Sequence, residues 1–311
     1  MAILARSLVL TAAVAGLLRG SPALAWNDRG HMIVAALAYD RLDPAVRDRV
    51  DSLLRLNPQH ASWVRGVARS RASEVAFLRA STWPDFIKRP AAGYTDDGNR
   101  PSGPQASQNI GYADRLQHRY WHYIDLPFST DGTPLEDPVA PNAETQIEAF
   151  RAALRAPGTS DDVRSYDLAW LLHLVGDVHQ PLHATSRFSA AFPHGDQGGN
   201  KVKVTCSPSC QRDLHAFWDD VLGRSTSPTA AIAAARKLAT PPAPSTDLTT
   251  DAWIRESLAL AQSTVYAAPV GDGAGPYLLT AAYRAAARAA ATKQVQLAGA
   301  RLAGVLNEAL R

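Results

Sequence analysis

The stretch HLVGDVHQPLH, residues 173–183, carries the strongest indications of both fold and chemistry in this sequence. It closes the strongly apolar run 165–180, which is typical of a buried helix. Pro181 has no amide donor and restricts the residue before it, so the helix should stop near this proline. Within the helix, His173 and Asp177 are four residues apart and share a face, so both side chains can point at one metal ion.

A second pair repeats this spacing farther along the chain. His215 and Asp219 lie four residues apart in LHAFWDD. Between the pairs, His183 follows the break at Pro181 and can therefore face a different ion from Asp177. Imidazole nitrogen and carboxylate oxygen are ligands that suit zinc. A single helical His-Asp pair is more often a hydrogen-bonded couple or a solvated ion pair, but two pairs with an intervening histidine favour metal binding.

The rest of the chain predicts an all-α fold. Apolar residues recur at helical spacing in 31–56, where Asp43 is the predicted cap of a second helix that opens at Pro44. The run 277–310 is long, alanine-rich and amphipathic. No series of alternating strands is evident, which leaves a mostly helical class.

Two polar stretches interrupt the predicted helices. Residues 91–117 are rich in Gly, Pro, Asp and Asn and predict a long surface loop at the rim of a site. Residues 224–250 contain TPPAPSTD and predict a connector between helices. Neither stretch has the length or composition of an interdomain linker, so we expect a single domain over 26–311.

The first 25 residues have the pattern of a secretory signal peptide. An apolar run at 7–18 precedes Ala23-Leu24-Ala25, an A-x-A cleavage site, so the mature chain should begin at Trp26. The apolar run is shorter than the roughly 20 residues that span a bilayer. We therefore expect a soluble exported protein, secreted or periplasmic, without stable membrane association. The net charge of +3 includes two leader arginines and falls to about +1 without them, which is weak evidence for a nucleic-acid partner.

The chain has two cysteines, Cys206 and Cys210, in the sequence CSPSC. In an oxidising compartment, a local disulfide that closes this loop is the preferred interpretation. The alternative is a metal site that uses both thiols with His215. Such sites usually need a fourth ligand, and none lies nearby in the sequence.

Several motifs occur in one order along nearly the whole mature chain. They are Trp26, Gly30-His31, WPD at 83–85, HYID at 122–125, HLVGDVHQPLH, GGN at 198–200, LHAFWD at 214–219 and AGARLAGVLN at 298–307. In these motifs the chain resembles the zinc-dependent, single-strand-specific nucleases and 3′-nucleotidases, a family related in fold to bacterial zinc phospholipase C. The resemblance implies a mostly helical domain with a trinuclear zinc cleft. It also implies that a metal-activated water hydrolyses single-stranded DNA and RNA to 5′-phosphorylated products, and that 3′-nucleotides lose their phosphate.

The same resemblance implies nine ligands for three zinc ions. They are Asp85, His122, His173 and Asp177 for the first ion, Trp26, His31 and the bridging Asp177 for the second, and His183, His215 and Asp219 for the third. Trp26 would bind through its free α-amine and its carbonyl. Since that amine exists only when no residue precedes it, signal cleavage would complete the site. His118 competes with His122 for the first ion, and the HYID match favours His122.

The resemblance further implies residues that act on the substrate. Asp85 would orient the attacking water while serving as a ligand, and Lys88 would neutralise phosphate charge. Lys88 stands where the family usually has arginine, so the bidentate fork is lost. Tyr123 and Asp125 match positions that stack on an unpaired base and hydrogen-bond to it. Asn200 has two interpretations: it holds a metal-bound phosphate, or it stabilises the GGN turn.

Two other functions fit parts of the pattern. The first is a phospholipase C, in which the same ions act on a lipid phosphodiester. Asp219, where that branch typically has glutamate, and Tyr123 favour the nuclease instead. The second is an extracellular binding protein with structural metals. Structural zinc sites are usually closed by four protein ligands, whereas His183, His215 and Asp219 supply three and leave a position open. No obligate protein partner is evident.

Overall fold

The computed structural model describes residues 26–238 and 246–311. The predicted signal peptide and its cleavage site, together with residues 239–245 of the predicted connector, lie outside the described residues. Within the two described ranges, no helix combines the length and the apolar character needed to cross a membrane.

Helices make up most of the described chain, which confirms the predicted mostly helical class. Their bounds are α1 Asp28–Tyr39, α2 Pro44–Leu54, α3 His60–Trp63, α4 Ala72–Ala80, α5 Trp83–Phe86, α6 Ala143–Arg155, α7 Asp161–Asp177, α8 Leu214–Asp219, α9 Pro228–Arg236, α10 Thr250–Leu260 and α11 Ala281–Ala309. Two small parallel sheets are also present. They pair β1 Leu126–Ser129 with β2 Thr185–Phe188, and β3 Val204–Thr205 with β4 Tyr277–Leu278.

Helix α7 runs through the centre of the core. Every residue from Ser165 to Asp177 is buried, and the helix contacts α1, α2, α5, α6 and α11. A helix that is apolar on all sides needs such an enclosed position. Trp170 is edge-on to Trp83 and Trp121, so large aromatic rings surround the C-terminal half of α7.

The end of α7 places the next histidine on a different element. The helix stops at Asp177, four residues before Pro181, so the prediction of a break near this proline agrees with the structure. The side chain of Gln180 then accepts a hydrogen bond from the amide of Leu182 and opens a short 3-10 turn, Pro181–His183. His183 therefore approaches the cleft from a turn and not from the helix.

Helices α1 and α11 pack closely and carry the N-terminal residues against the core. Gly299 makes this approach possible, because a Cβ atom there would lie 2.5 Å from the Cβ of Leu37. Helix α1 also contacts α4, α7 and α9. His31 is thereby held against α7.

One local prediction is confirmed in position only, and another needs correction. Asp43 occupies the N-cap position of α2, but its side chain makes no capping hydrogen bond. Its Oδ2 instead accepts hydrogen bonds from the guanidinium group of Arg311, which forms an ion pair with it. The predicted connector 224–250 contains the helix α9, because the alanine-rich segment after Pro228 can bury Ala231, Ile232 and Ala235.

Candidate metal centre

Among the described residues, three groups of histidine and aspartate bring their ligand atoms within 4.8 Å of one another. All the members of these groups are buried. The first group is Asp85, His122 and His173, the second is His31, His173 and Asp177, and the third is His183, His215 and Asp219. His173 belongs to two groups, so the first and second groups are adjacent.

The first group, together with Asp177 Oδ2 of the second, brings four ligand atoms around one point. His173 Nε2 lies 3.0 Å from His122 Nδ1 and 3.3 Å from Asp177 Oδ2. Asp85 Oδ1 lies 3.7 Å from His173 Nε2. Four atoms at about 2.0–2.2 Å from a tetrahedral zinc ion are roughly 3.3–3.6 Å apart. The three distances between these side chains, together with the 4.0 Å between His122 Nδ1 and Asp85 Oδ1, lie on both sides of that range.

The second group joins helix α1 to helix α7. His31 Nε2 lies 3.3 Å from Asp177 Oδ1, and the His31 ring stacks on His173 with ring centroids 3.8 Å apart. Neither ring nitrogen of His31 nor Asp177 Oδ1 has a hydrogen-bond partner among the described residues. Leaving a buried polar atom unsatisfied costs about 1–3 kcal/mol, and a cation between the two residues would remove that cost at Asp177 Oδ1 and at one ring nitrogen of His31.

Glycine at position 176 makes the second group possible. A Cβ atom there would lie 2.8 Å from His31 Nδ1, so a larger side chain would displace the imidazole. Gly176 lies within HLVGDVHQPLH but is not among the predicted site residues. The feature of the sequence that could have indicated its role is a glycine directly before the candidate ligand Asp177 on a predicted buried helix.

The third group combines α8 with the 3-10 turn after α7. His183 Nε2 lies 3.0 Å from His215 Nε2, and His215 Nε2 lies 3.7 Å from Asp219 Oδ2. The other oxygen of Asp219 accepts a hydrogen bond from Gln180 Nε2 at 2.7 Å. Gln180 therefore orients the carboxylate of Asp219 as well as the 3-10 turn Pro181–His183. It too is not among the predicted site residues.

Backbone carbonyls orient three of the imidazoles. His173 Nδ1 contacts the carbonyl of Ser81, His183 Nδ1 that of His122, and His215 Nδ1 that of Gly198, each at 2.7 Å. A carbonyl accepts a hydrogen bond, so each Nδ1 carries the proton and each Nε2 presents a lone pair to its group. Metal-binding histidines usually have such a partner on the second nitrogen.

Burial shifts the pKa values in this region toward the uncharged forms. Burial, with nearby positive charge, holds the pKa values of His122, His173 and His183 well below the usual histidine value. Burial likewise raises the pKa of Asp177 to about 7 and that of Asp219 well above its usual range. Neutral imidazoles are ready to bind a metal, and a divalent cation would favour the charged carboxylates again.

Trp26 is fully buried at the start of the described chain. Its side chain packs on Gly30, where an added Cβ would lie 2.6 Å from the Trp26 Cβ. The next residue, Asn27, caps α1 and donates its amide to the carbonyl of Asp219 at 3.3 Å. The residue after Trp26 thus contacts Asp219 of the third group, and Trp26 packs on the residue before His31 of the second, while the role of the Trp26 α-amine stays a prediction.

Asp85 and Lys88 form a buried ion pair. Lys88 Nζ lies 2.7 Å from Asp85 Oδ1, and Lys88 is 7% exposed. Asp85 lies in the short helix α5, and Lys88 follows in the next turn, where its amide donates to the Asp85 carbonyl at 3.3 Å. The ammonium group thus adds a fixed positive charge at the edge of the first group.

A cleft of about 710 Å³, here called the main cleft, opens beside the first and third groups. Lys88, Tyr123, Asp125 and Asn200 are among its lining residues, so the structure brings the predicted substrate residues to one cavity. Burial and the nearby Asp196 raise the pKa of Asp125 to about 6. Asn200 Nδ2 donates to the carbonyl of Gln197, which places this amide in the turn and also in the cleft wall.

The predicted loop 91–117 forms one wall of the main cleft. Its Asn99 and Arg100 line the cavity, and the Tyr123 hydroxyl donates a hydrogen bond to the Asn99 carbonyl. On the other side, Asn109 donates to Asp167 of α7 at 3.0 Å. The loop is therefore joined to the core on one side and to the candidate stacking residue on the other.

The structure separates the two candidate histidines near this loop. His118 contacts Asp114 at 2.7 Å and Asp97 at 3.3 Å, and it stacks on Trp121 with ring centroids 3.6 Å apart. It lies outside all three ligand groups, whereas His122 belongs to the first. His118 thus helps to hold the loop.

The preferred interpretation of the two cysteines is confirmed. Cys206 and Cys210 form a disulfide in the structure. Their sulfur atoms are therefore engaged with each other, which excludes the alternative thiolate site with His215.

Comparison with known proteins agrees with this geometry. Residues 26–311 match a sequence model of the family described as S1/P1 Nuclease. Endonuclease 3 of Arabidopsis thaliana is 28% identical over 220 residues. The aligned region covers 69% of this chain and 58% of that relative, so the match spans little more than half of the relative's length.

Proposed function

This chain belongs to the S1/P1 nuclease family, and we propose that it hydrolyses single-stranded DNA and RNA to 5′-phosphorylated products and removes phosphate from 3′-nucleotides. The observation that carries the proposal is the convergence of three buried His/Asp groups beside one cleft of about 710 Å³. We further propose that the nuclease domain spans 26–311, and that a signal peptide directs its export to the periplasm or the medium.

Three zinc ions fit the donor set. The proposed ligands are Asp85, His122, His173 and Asp177 for the first ion, Trp26, His31 and Asp177 for the second, and His183, His215 and Asp219 for the third. Imidazole and carboxylate donors, dry surroundings and carbonyl-oriented rings all support this assignment. Zinc at these positions would supply Lewis-acid stabilisation of phosphate charge and would lower the pKa of water toward neutrality.

The protein residues would then orient the substrate and handle its charge. The Lys88 ammonium would neutralise a non-bridging phosphate oxygen, since it is held at the cleft edge by its ion pair with Asp85. Asp85 retains a second carboxylate oxygen, which can accept a hydrogen bond from the attacking water. These roles require the Asp85–Lys88 ion pair to keep the geometry that α5 and the turn after it provide.

A preference for single strands follows from the wall that carries Tyr123. Its ring lines the main cleft and its hydroxyl is bound to the Asn99 carbonyl, so the ring is held in place before any base arrives. Only an unpaired base exposes a full face for stacking, and every base has one. Asp125, deeply placed beside Tyr123, would hydrogen-bond to the edge of that base.

The decisive experiment uses mature protein that starts at Trp26. Denatured DNA, duplex DNA, a 3′-mononucleotide and phosphatidylcholine are each incubated with zinc-loaded enzyme, with and without a zinc chelator. We expect chelator-sensitive cleavage of denatured DNA, with 5′-phosphate ends, and release of phosphate from the mononucleotide. Cleavage of the lipid alone would contradict the proposal and assign the chain to the phospholipase branch.

A further inference from the structure

The cleft does not end at the third group. A second cavity of about 510 Å³, here called the far cavity, adjoins the main cleft, and the two share Asn200, Asp213 and His215 in their linings. The far cavity lies toward the start of α1 and contains Asn27, Arg29, Arg89 and Arg224 among its lining residues. The third group therefore borders both cavities, with His183 and His215 in the lining of the main cleft and His215 and Asp219 in that of the far cavity.

The chemistry of the proposed reaction assigns different parts of a strand to the two sides. A 5′-phosphate product arises when water oxygen bonds to phosphorus and the bond from phosphorus to O3′ breaks, with O3′ leaving with the upstream nucleoside and gaining a proton. A 3′-mononucleotide has this upstream nucleoside but nothing beyond the phosphate. A polymer also has a downstream nucleotide, which needs space on the other side of the scissile phosphate.

We propose that the far cavity binds the downstream strand and that Arg89 and Arg224 contact its phosphates. The inference rests on the proposed function: the nucleoside of a 3′-mononucleotide, whose base would stack on Tyr123 in the main cleft, corresponds to the upstream side of a polymer. The far cavity would then serve polymeric substrates specifically and determine how well the enzyme cuts chains relative to mononucleotides.

Two arginines of the far cavity are available to a ligand. Arg89 is 61% exposed at its side chain and lies 3.9 Å from Asp28 Oδ2, while Arg224 is 74% exposed and lies 3.1 Å from Asp220 Oδ2. Exposed ion pairs of this kind contribute little free energy, so phosphate can replace the carboxylate partner. A guanidinium group can bind phosphate through two parallel hydrogen bonds.

Four acidic residues line the far cavity; Asp28 is the ion-pair partner of Arg89, and the other three make further interactions within the protein. Asp213 accepts a hydrogen bond from the amide of Ala216 and caps α8. Asp219 belongs to the third ligand group. Asp220 accepts hydrogen bonds from the side-chain amides of Asn27 and Gln211. These interactions reduce the repulsion that an incoming phosphate would meet.

The test compares two substrates on one double variant, Arg89→Ala with Arg224→Ala. The ratio of kcat/KM for a single-stranded octanucleotide to that for a 3′-mononucleotide should fall about tenfold. The slope of log kcat/KM for the octanucleotide against log salt concentration should also become shallower, by roughly 0.7 for each phosphate that the variant no longer neutralises. The matched control is Arg65→Ala with Arg69→Ala, two exposed arginines outside both cavities, and it should leave the ratio unchanged.

Three results would overturn the inference. An unchanged ratio in the Arg89/Arg224 variant would show that the far cavity does not bind the strand. An equal loss on both substrates would place the arginines at the reaction centre instead. A wild-type enzyme that hydrolyses neither substrate would overturn the proposed function itself, and the inference with it. Circular dichroism and thermal unfolding of each variant establish that the fold is intact.

Discussion

His31 and Asp177 meet across the contact between α1 and α7, with His31 Nε2 at 3.3 Å from Asp177 Oδ1. The other carboxylate oxygen, Oδ2, faces His122 Nδ1 at 3.0 Å. One carboxylate thus faces an imidazole of the second group with one oxygen and an imidazole of the first group with the other. This arrangement is the basis for the first prediction.

Replacing Asp177 with Asn should remove zinc from both adjacent groups. The neutral amide loses the charge that balances two cations, so we expect activity to fall at least about 100-fold. The zinc content of the variant, measured by inductively coupled plasma mass spectrometry, should decrease together with the activity. The matched control is Asp167→Asn on the same helix, because burial raises the pKa of Asp167 to about 8 and a neutral amide resembles its protonated form near pH 7. Full activity of Asp177→Asn would contradict the bridging role.

Gly176→Ala should disturb the site without removing a ligand. The new Cβ would lie 2.8 Å from His31 Nδ1, so the imidazole or α1 must shift. Overpacking of this kind costs about 1–3 kcal/mol, and the second zinc ion should bind more weakly. Urea unfolding and zinc titration measure the two effects. Gly158→Ala is the control, since no atom lies within 4 Å of a Cβ at that position.

Lys88→Met should lower kcat/KM by roughly 100-fold, because a charged donor to phosphate is removed from a buried position. Lys88→Arg keeps the charge and adds a bidentate donor, so its kcat/KM should stay within about tenfold of the wild-type value. Steady-state kinetics on a 3′-mononucleotide distinguish the variants. Equal rates for the methionine and wild-type enzymes would exclude Lys88 from the reaction.

The stability contributed by His118 should depend on pH. Burial opposes its charged form, but Asp114 and Asp97 outweigh that effect and raise the pKa of His118 above the usual value of 6.5. A folded-state pKa above the unfolded-state value stabilises the protein fully below about pH 6.5. That stability is lost as the pH rises through the folded-state pKa. His118→Asn should therefore destabilise zinc-loaded protein more at pH 6 than at pH 9, as measured by urea unfolding, and the opposite order would contradict the assignment.

Much of the fold followed from local pattern, and the exceptions have local causes. The apolar run before Pro181 predicted α7, because a helix surrounded by protein must be apolar on every side. Asp43 looked like a capping residue, yet its carboxylate pairs with Arg311 at the far end of the sequence. The segment after Pro228 looked like a connector, yet it forms the helix α9, which buries Ala231, Ile232 and Ala235.

The amino-acid sequence by itself determined which side chains lie on one helical face and where helices stop. The pairs His173/Asp177 and His215/Asp219, and the break that separates His183, follow from helix periodicity and the chemistry of proline. Tertiary structure alone decided that His31 reaches Asp177 past Gly176, that carbonyls orient three imidazoles, and that a second cavity continues beyond the third group. Periodicity governs neighbours within a turn of helix, whereas these interactions join distant segments that meet when the core packs.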